Sequence, residues 1–455
     1  MTIIIWQQFG LKKNPYNTKP LIEGGDIPIE KAFVGREKER EYLTGLLMSE
    51  ERLSITLCGN VGVGKTSLTN YIKYAFKYHT EKMLFSARRE IEAHQGILNK
   101  REFILEIIGS VIREISLIDP DLIKKNPLLS KLVRVVDISQ SVSFAFGGNL
   151  EILGTGGGGS FSKDIEYQQP PQIPVATLEQ YLKELIDFIK TIRINGRIYQ
   201  GLIVHVNNFD IVMQEKEGKQ KIIQFFHEIR DLVQTDFIYF IFIGPKEFYK
   251  DIIHSQPRIK GAFHQTPLLL DPLTKTEIAT ALDERIKLLT SDGVKKVIKP
   301  FDNEVIYKLY DLYNGDVRTI MAALRDILNQ YADRLPKTLT VDEAMILLGR
   351  EKWLVIERND ITEEQKQVLR FIIENRKPVS QKEIAALLNK APNNVSGYYF
   401  APLKNAGVIE EISREGKVKY WYLTQEYRPL ENYISASKAV RKKVQDDSTQ
   451  LALFE

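Results

Sequence analysis

The chain is poor in the residues that staple or coordinate. Cys58 is the only cysteine among 455 residues, which excludes an intrachain disulfide. The six histidines are scattered rather than set at metal-ligand spacing, so no structural zinc site is expected. Long apolar runs are also missing: stretches such as FIYFIFI, Phe237 to Ile243, fall far short of the roughly 20 residues a membrane helix needs. MTIIIWQQFG at the N-terminus has no basic n-region, long apolar core or small-residue cleavage site, so no secretory signal is expected and the cytoplasm is the expected location. Charge of one sign is scarce as well. The 63 Lys and Arg stand against 59 Asp and Glu, a net +4 that permits contact with nucleic acid without demanding it.

What remains is a globular composition, 43% hydrophobic and 27% charged, in a chain long enough for about two to four domains. An apolar run from Leu53 to Cys58 leads into a glycine loop, and Ser67 to Lys77 then reads as a helix. Further strands are expected at Met83 to Ala87, in GLIVHV and in FIYFIFIG, with helices over Arg101 to Ile115, Thr177 to Ile192 and Lys219 to Val233. Strands alternating with helices imply a parallel sheet covered on both faces. Beyond Pro272 the pattern is helical, and a polar tail closes the chain. The expected fold is thus α/β: a P-loop parallel sheet with helices on both faces, followed by an α-helical lid and a winged helix-turn-helix domain. Its expected divisions are 1–270 for the nucleotide domain, 271–358 for the lid, 359–430 for the winged helix and 431–455 for a flexible tail.

The loop GNVGVGKTS, Gly59, Asn60, Val61, Gly62, Val63, Gly64, Lys65, Thr66 and Ser67, satisfies G-x-x-x-x-G-K-[ST] between a strand and a helix. Glycines let backbone N–H groups wrap phosphates, Lys65 reaches the β- and γ-phosphates, and the Thr66 hydroxyl is a ligand for Mg²⁺, so ATP with Mg²⁺ is the expected cofactor. A metal-holding acid is expected at the end of a second strand. LIVHVNNFD instead places Asn207 and Asn208 there, with Asp210 two residues on and Glu184 and Asp187 as remoter candidates. An amide can bond a metal-bound water but cannot serve as a base at neutral pH, which points to slow turnover or a binding switch.

These residues, together with FGLKKNPY from Phe9 and FVGREKEREYL from Phe33, resemble the AAA+ superfamily, in particular the origin-recognition initiator clade and the neighbouring STAND-type signalling ATPases. The resemblance implies that Phe33 and Val34 close over adenine. It implies that Arg318, in GDVR, is the sensor-two arginine that approaches the γ-phosphate from the lid. It also implies a finger arginine for the nucleotide of a neighbouring subunit, in a homo-oligomer or with a partner ATPase, for which Arg258 is the candidate, with Lys260 and Arg285 competing. The polar sensor-one residue of that family is missing at Gly244 and Pro245.

In the C-terminal module, QKQVLRFIIE and SQKEIAALL are expected helices, the second with a Ser380–Glu383 capping box. The third, NNVSGYYFAPLKNAGVI, is the expected reader of duplex DNA through Asn393, Asn394, Ser396, Tyr399 and Lys404, with no acid between Lys390 and Val408. VIEEISR and KVKYWYL make a wing that brings Arg414, Lys417 and Lys419 towards a phosphate backbone. Winged helices also dock proteins, so a signalling ATPase or a non-hydrolysing sensor is the alternative reading. In the tail, Gln450, Leu451, Leu453 and Phe454 of QLALF resemble the pentapeptide that engages the replication sliding clamp; a tail helix that packs home is the other reading. A glycine-rich stretch at about 139–171 is expected as a β-hairpin insertion, either meeting a partner or covering its own domain.

Overall fold

The computed structural model describes residues 5–145, 173–294, 297–331 and 335–438. Two compact units emerge. One is continuous, Pro20–Asp271, and the other joins Met1–Lys19 to Pro272–Glu455. Residues 1–19, expected with the nucleotide domain, instead belong with the lid. The reason is packing: Phe9, Leu11 and Tyr16 are buried in the same core as Leu282, Leu309, Leu324 and Leu348.

The continuous unit is built on a parallel sheet of six strands: β1 Leu53–Gly59, β2 Phe85–Ser86, β3 Ile91–Glu92, β4 Leu202–Asn207, β5 Ile238–Gly244 and β6 Leu268–Leu270. The order is β2-β4-β5-β1-β6, with β3 also paired to β4. Register is set by pairs such as Ile55 with Ile241 and Val204 with Phe240. Both β1 and β5 are buried at every residue, Ser54 and Thr56 of β1 included, as a strand covered on both faces requires. One face holds Leu68, Ile72 and Phe76 of the helix Lys65–Tyr78 against Ile203, Tyr239 and Ile241. The other buries Phe103, Leu182, Phe225 and Phe226 against Val204, Phe240 and Phe242. The chain leaves β1 for one edge and returns to β6 on its other side, so β1 is a topological switch point whose carboxyl end is a natural crevice for a ligand.

Two local expectations change. The strand expected over Met83 to Ala87 is reduced to β2, and a further short strand that was not expected, β3, follows residues 87–90. Ser139 to Ala145, read as the start of a hairpin, continue the helix Pro127–Ala145, and the rest of the glycine-rich stretch lies outside the described residues.

Behind the helix Lys65–Tyr78 runs a buried ionic network. Lys77 Nζ, with no exposed side-chain surface, lies 2.6 Å from Glu114 Oε1 and 3.1 Å from Glu23 Oε2. Arg88 Nε stands 3.1 Å from the same Glu114 oxygen, and the Tyr78 hydroxyl donates to Glu23 Oε1 at 2.6 Å. Lys73 donates to Asn70 Oδ1 and to the Arg88 carbonyl, and burial pushes its pKa down to about 8. Ion pairs this deep recover the desolvation of their members only when complete.

In the other unit, helices Lys275–Leu288, Asn303–Leu312, Val317–Asn329 and Val341–Arg358 enclose the lid core. Capping boxes start two of these, Thr274 with Glu277 and Thr340 with Glu343. The helix Val341–Arg358 serves two cores, Ala344 to Leu348 in the lid and Trp353 and Ile356 in the next. That next core is closed by helices Glu363–Asn375 and Gln381–Leu388, by a third helix in three pieces, Pro392–Val395, Ser396–Phe400 and Ala401–Asn405, and by an antiparallel sheet. The sheet is β7 Val379–Ser380, β8 Ile409–Glu415 and β9 Val418–Leu423, in the order β7-β9-β8.

Replacing Glu114 with Ala leaves the Lys77 ammonium buried with Glu23 alone. The expected loss is about 3 kcal/mol of stability, read as a lower urea midpoint for the transition of this unit; a loss below about 1 kcal/mol would show that Glu23 suffices.

Candidate functional site

The glycine loop emerges from the carboxyl end of β1. A Cβ on Gly59 would sit 2.6 Å from the Leu270 carbonyl oxygen, so only glycine lets β1 lie this close to β6. Gly62 and Gly64 take φ of 80° and 93°, conformations open to glycine at little cost, and they turn the loop into the helix Lys65–Tyr78. Gly64 caps that helix with no side-chain hydrogen bond, so its first-turn N–H groups are not claimed by a cap. Lys65 Nζ donates to the Gly59 and Asn60 carbonyls, both at 2.8 Å, folding its ammonium over the loop. The Thr66 hydroxyl accepts from Asn207 Nδ2 at 3.0 Å. The structure therefore brings Asn207, at the end of β4, to the threonine.

Asn207 Oδ1 in turn accepts the Asn208 N–H at 2.8 Å, and Asn208, at φ 68°, caps the short helix Phe209–Gln214. Asp210 lies in the first turn of that helix, half-buried. Ser67 Oγ accepts the Leu21 N–H at 3.3 Å, and Asn70 Nδ2 donates to the Leu21 carbonyl at 2.9 Å, which straps the start of this unit along the P-loop helix. The fit to a nucleotide rests on these features together: a glycine cradle, an ammonium beside it and a threonine hydroxyl aligned by an amide. The same set suits Mg²⁺, which would take the Thr66 hydroxyl and would meet Asn207 through its water shell. Among the described residues no group of three or more His, Cys, Asp or Glu forms a separate metal cluster.

Arg36 was not singled out by the sequence reading, yet it holds the loop. It is 7% exposed and sits at φ 64°, a costly conformation for a side chain of this size. Its Nη2 donates to the Val63 carbonyl at 2.9 Å and to the Asp271 carbonyl at 2.5 Å, while Nη1 meets Glu39 Oε1 at 2.9 Å. Phe33 and Val34 are half-buried next to it, and the Phe33 ring stacks on Tyr71 of the P-loop helix at 4.7 Å. The available signal was the arginine directly after glycine in FVGRE, a place where a buried guanidinium can reach several carbonyls at once.

The remaining arginines separate clearly. Arg258 is exposed on the short helix Pro257–Lys260, with Lys260 partly exposed beside it. Arg285 is 7% exposed in the lid core, donating to the Asn17 carbonyl at 3.0 Å, so of the three finger candidates it has a structural role. Arg318 is exposed at the start of Val317–Asn329, a helix capped by Asp316, whose carboxylate accepts from the Arg318 and Thr319 N–H groups.

In the C-terminal module one expected contact is overturned. Tyr399 is only 4% exposed; its hydroxyl donates to Glu364 Oε2 at 2.6 Å and bonds Lys390. The residue turned outward is Tyr398, 70% exposed, whereas Tyr399 stands four residues from both Val395 and Leu403 on the buried face. Asn394, Ser396 and Lys404 are exposed as expected, whereas the side chain of Asn393 lies outside the described residues. In the hairpin of β8 and β9, Lys417 is exposed at the turn, but Arg414 and Lys419 both pair with Glu411. The clamp-like Gln450, Leu451, Leu453 and Phe454 lie outside the described residues.

Strand order and loop together define a P-loop α/β unit followed by a helical region. Among solved structures, the chain is similar to the Orc2 protein of Aeropyrum pernix in its ADPNP–ADP complexes, at 14% identity and a TM-score of 0.44, over 94% of this chain and 99% of that one. It is also similar to the Aeropyrum pernix Orc1 protein in complex with DNA, at 14% identity and a TM-score of 0.43, over 91% and 95%. A third is the Drosophila ORC bound to DNA, at 10% identity and a TM-score of 0.41, over 94% and 90%. No family model and no curated protein sequence matches the chain.

Arg36→Ala frees the Val63 and Asp271 carbonyls and loosens the cradle. We expect ATP affinity to fall about tenfold, in line with the loss of a charged hydrogen bond, when a fluorescent ATP analogue is titrated into purified protein; unchanged affinity would remove Arg36 from the site.

Proposed function

We propose that this chain is an ATP-binding protein whose nucleotide state controls its hold on duplex DNA, in replication-linked work, mobile-element maintenance or defence against foreign DNA. The observation that carries the nucleotide half is the Thr66–Asn207 hydrogen bond beneath the glycine cradle. In this reading Lys65 exchanges its carbonyl partners for the β- and γ-phosphates, and Thr66 meets Mg²⁺. Asn207 and Asn208 provide no base, so the pair suits a switch with slow turnover better than a motor, and Asp210 is the nearest acid along the chain to support it. Arg318 supplies the lid's response to the γ-phosphate, and Arg258 serves a neighbouring subunit or partner ATPase.

The DNA half rests on the outward face of the third helix, with Asn394, Ser396, Tyr398 and Lys404 exposed and no acid among them. In a winged helix that face enters the major groove, Asn393 included, while Lys417 at the wing tip approaches a phosphate. The tail residues Gln450 to Phe454 fit a sliding-clamp pocket in the same setting. A second reading has a specific observation in its favour: Glu411 pairs with both Arg414 and Lys419 and offsets part of their charge, which leaves the wing weaker for phosphate contact and suits a signalling ATPase whose winged helix docks a protein. Among the described residues no helix is long and apolar enough to cross a membrane.

Fluorescence anisotropy with labelled duplexes tests both halves on one preparation. Wild type is expected to bind duplex in a salt-dependent way, with affinity differing several-fold between ADP and ATP, and Lys65→Ala is expected to erase that difference. Lys404→Glu with Lys417→Glu is expected to weaken binding about tenfold or more at low salt, and Tyr398→Ala to weaken it where Tyr399→Phe chiefly lowers stability. Absence of duplex binding in every nucleotide state would favour the protein-docking reading.

A further inference from the structure

The two amides at the end of β4 leave the site without the carboxylate that a magnesium–nucleotide complex ordinarily uses, and the sheet supplies one from the next strand. β3 pairs with β4 in parallel, with Ile91 opposite Val206 and Glu92 opposite Asn207. The Ala93 N–H donates to the Asn207 carbonyl at 2.8 Å, which fixes the end of β3 to the end of β4. Partners in a ladder send their side chains to the same face, and adjacent strands lie about 4.8 Å apart. Ile91 and Val206 share the core away from the P-loop helix, so Glu92 and Asn207 share the face towards it. Asn207 proves that orientation by reaching Thr66. Glu92 is exposed, as a group that meets solvent and a hydrated ion must be.

We infer that Glu92 is the acid of this site: it holds the water shell of Mg²⁺ beside Thr66, and Asn207 aligns the threonine instead of carrying the charge. The assignment rests on the P-loop reading above. A carboxylate on the neighbouring strand restores the negative charge that Mg²⁺ prefers, with no change in the number of polar groups at the sheet's carboxyl end. Asp210 lies on a helix that begins after the left-handed Asn208, so it leaves the ladder that orients Glu92 and Asn207 together.

The test is the magnesium response of ATP binding, with a fluorescent ATP analogue titrated in EDTA and then in Mg²⁺. Wild type is expected to tighten about tenfold or more with Mg²⁺, and Glu92→Gln to lose most of that response while keeping its metal-free affinity and its melting temperature. Glu92→Gln combined with Asn207→Asp moves the carboxylate one strand over and is expected to recover much of the response. A full response in Glu92→Gln, or wild-type binding indifferent to Mg²⁺, would overturn the assignment and leave the P-loop reading intact. Failure of wild type to bind ATP under either condition would overturn both.

Discussion

One buried guanidinium keeps the glycine loop in shape. A P-loop has little of its own to hold it: its glycines make few side-chain contacts, and its N–H groups must stay available to phosphates rather than bond within the protein. Arg36 resolves this from the carbonyl side, taking Val63 and Asp271 at once while Glu39 balances its charge. Gly59 then allows β1 to lie against β6. The strained φ of Arg36 is tolerated because three partners, Val63, Asp271 and Glu39, over-determine its position. The cradle is thus organised from its back, which leaves its front to the ligand.

The site divides by the range of the interactions that make it. Everything from Gly59 to Ser67 was legible in the sequence, because strand, glycines, lysine and threonine are contiguous and each has a local reason to be there. The end of LIVHVN was legible as a place where a metal-site residue belongs, but the hydrogen bond from Asn207 to Thr66 depends on the strand order, which no local pattern fixes. Glu92 was not, since its placement depends on a register between β3 and β4 that no local pattern fixes, and the expected strand ended before it. Arg36 was hidden for the same reason: its carbonyl partners lie 27 and 235 residues away in sequence.

Tyr398 and Tyr399 show a different limit. On a helix, neighbouring residues point about 100° apart, so choosing the wrong one of two tyrosines reverses inside and outside. The buried stripe runs through Val395, Tyr399 and Leu403, with Phe400 beside it, so the spacing of four from Val395 picks Tyr399 for the core and leaves Tyr398 outside. In the lid the helical pattern was read correctly, yet the N-terminal residues were assigned to the wrong core because Phe9 and Tyr16 find their partners only in helices far along the chain. That long helix Val341–Arg358 also blurs the boundary between lid and final module, since it contributes to both cores.

The division of the chain has a consequence for its birth on the ribosome. Pro20–Asp271 is one uninterrupted stretch and can close on itself as soon as it has emerged. Phe9, Leu11 and Tyr16 come out ahead of that unit, but the core that buries them is completed only when Met345, Leu347 and Leu348 have been made. Those three residues therefore wait with their apolar side chains uncovered while the P-loop unit and the lid are made, and a nascent chain halted after the P-loop unit would present them to chaperones.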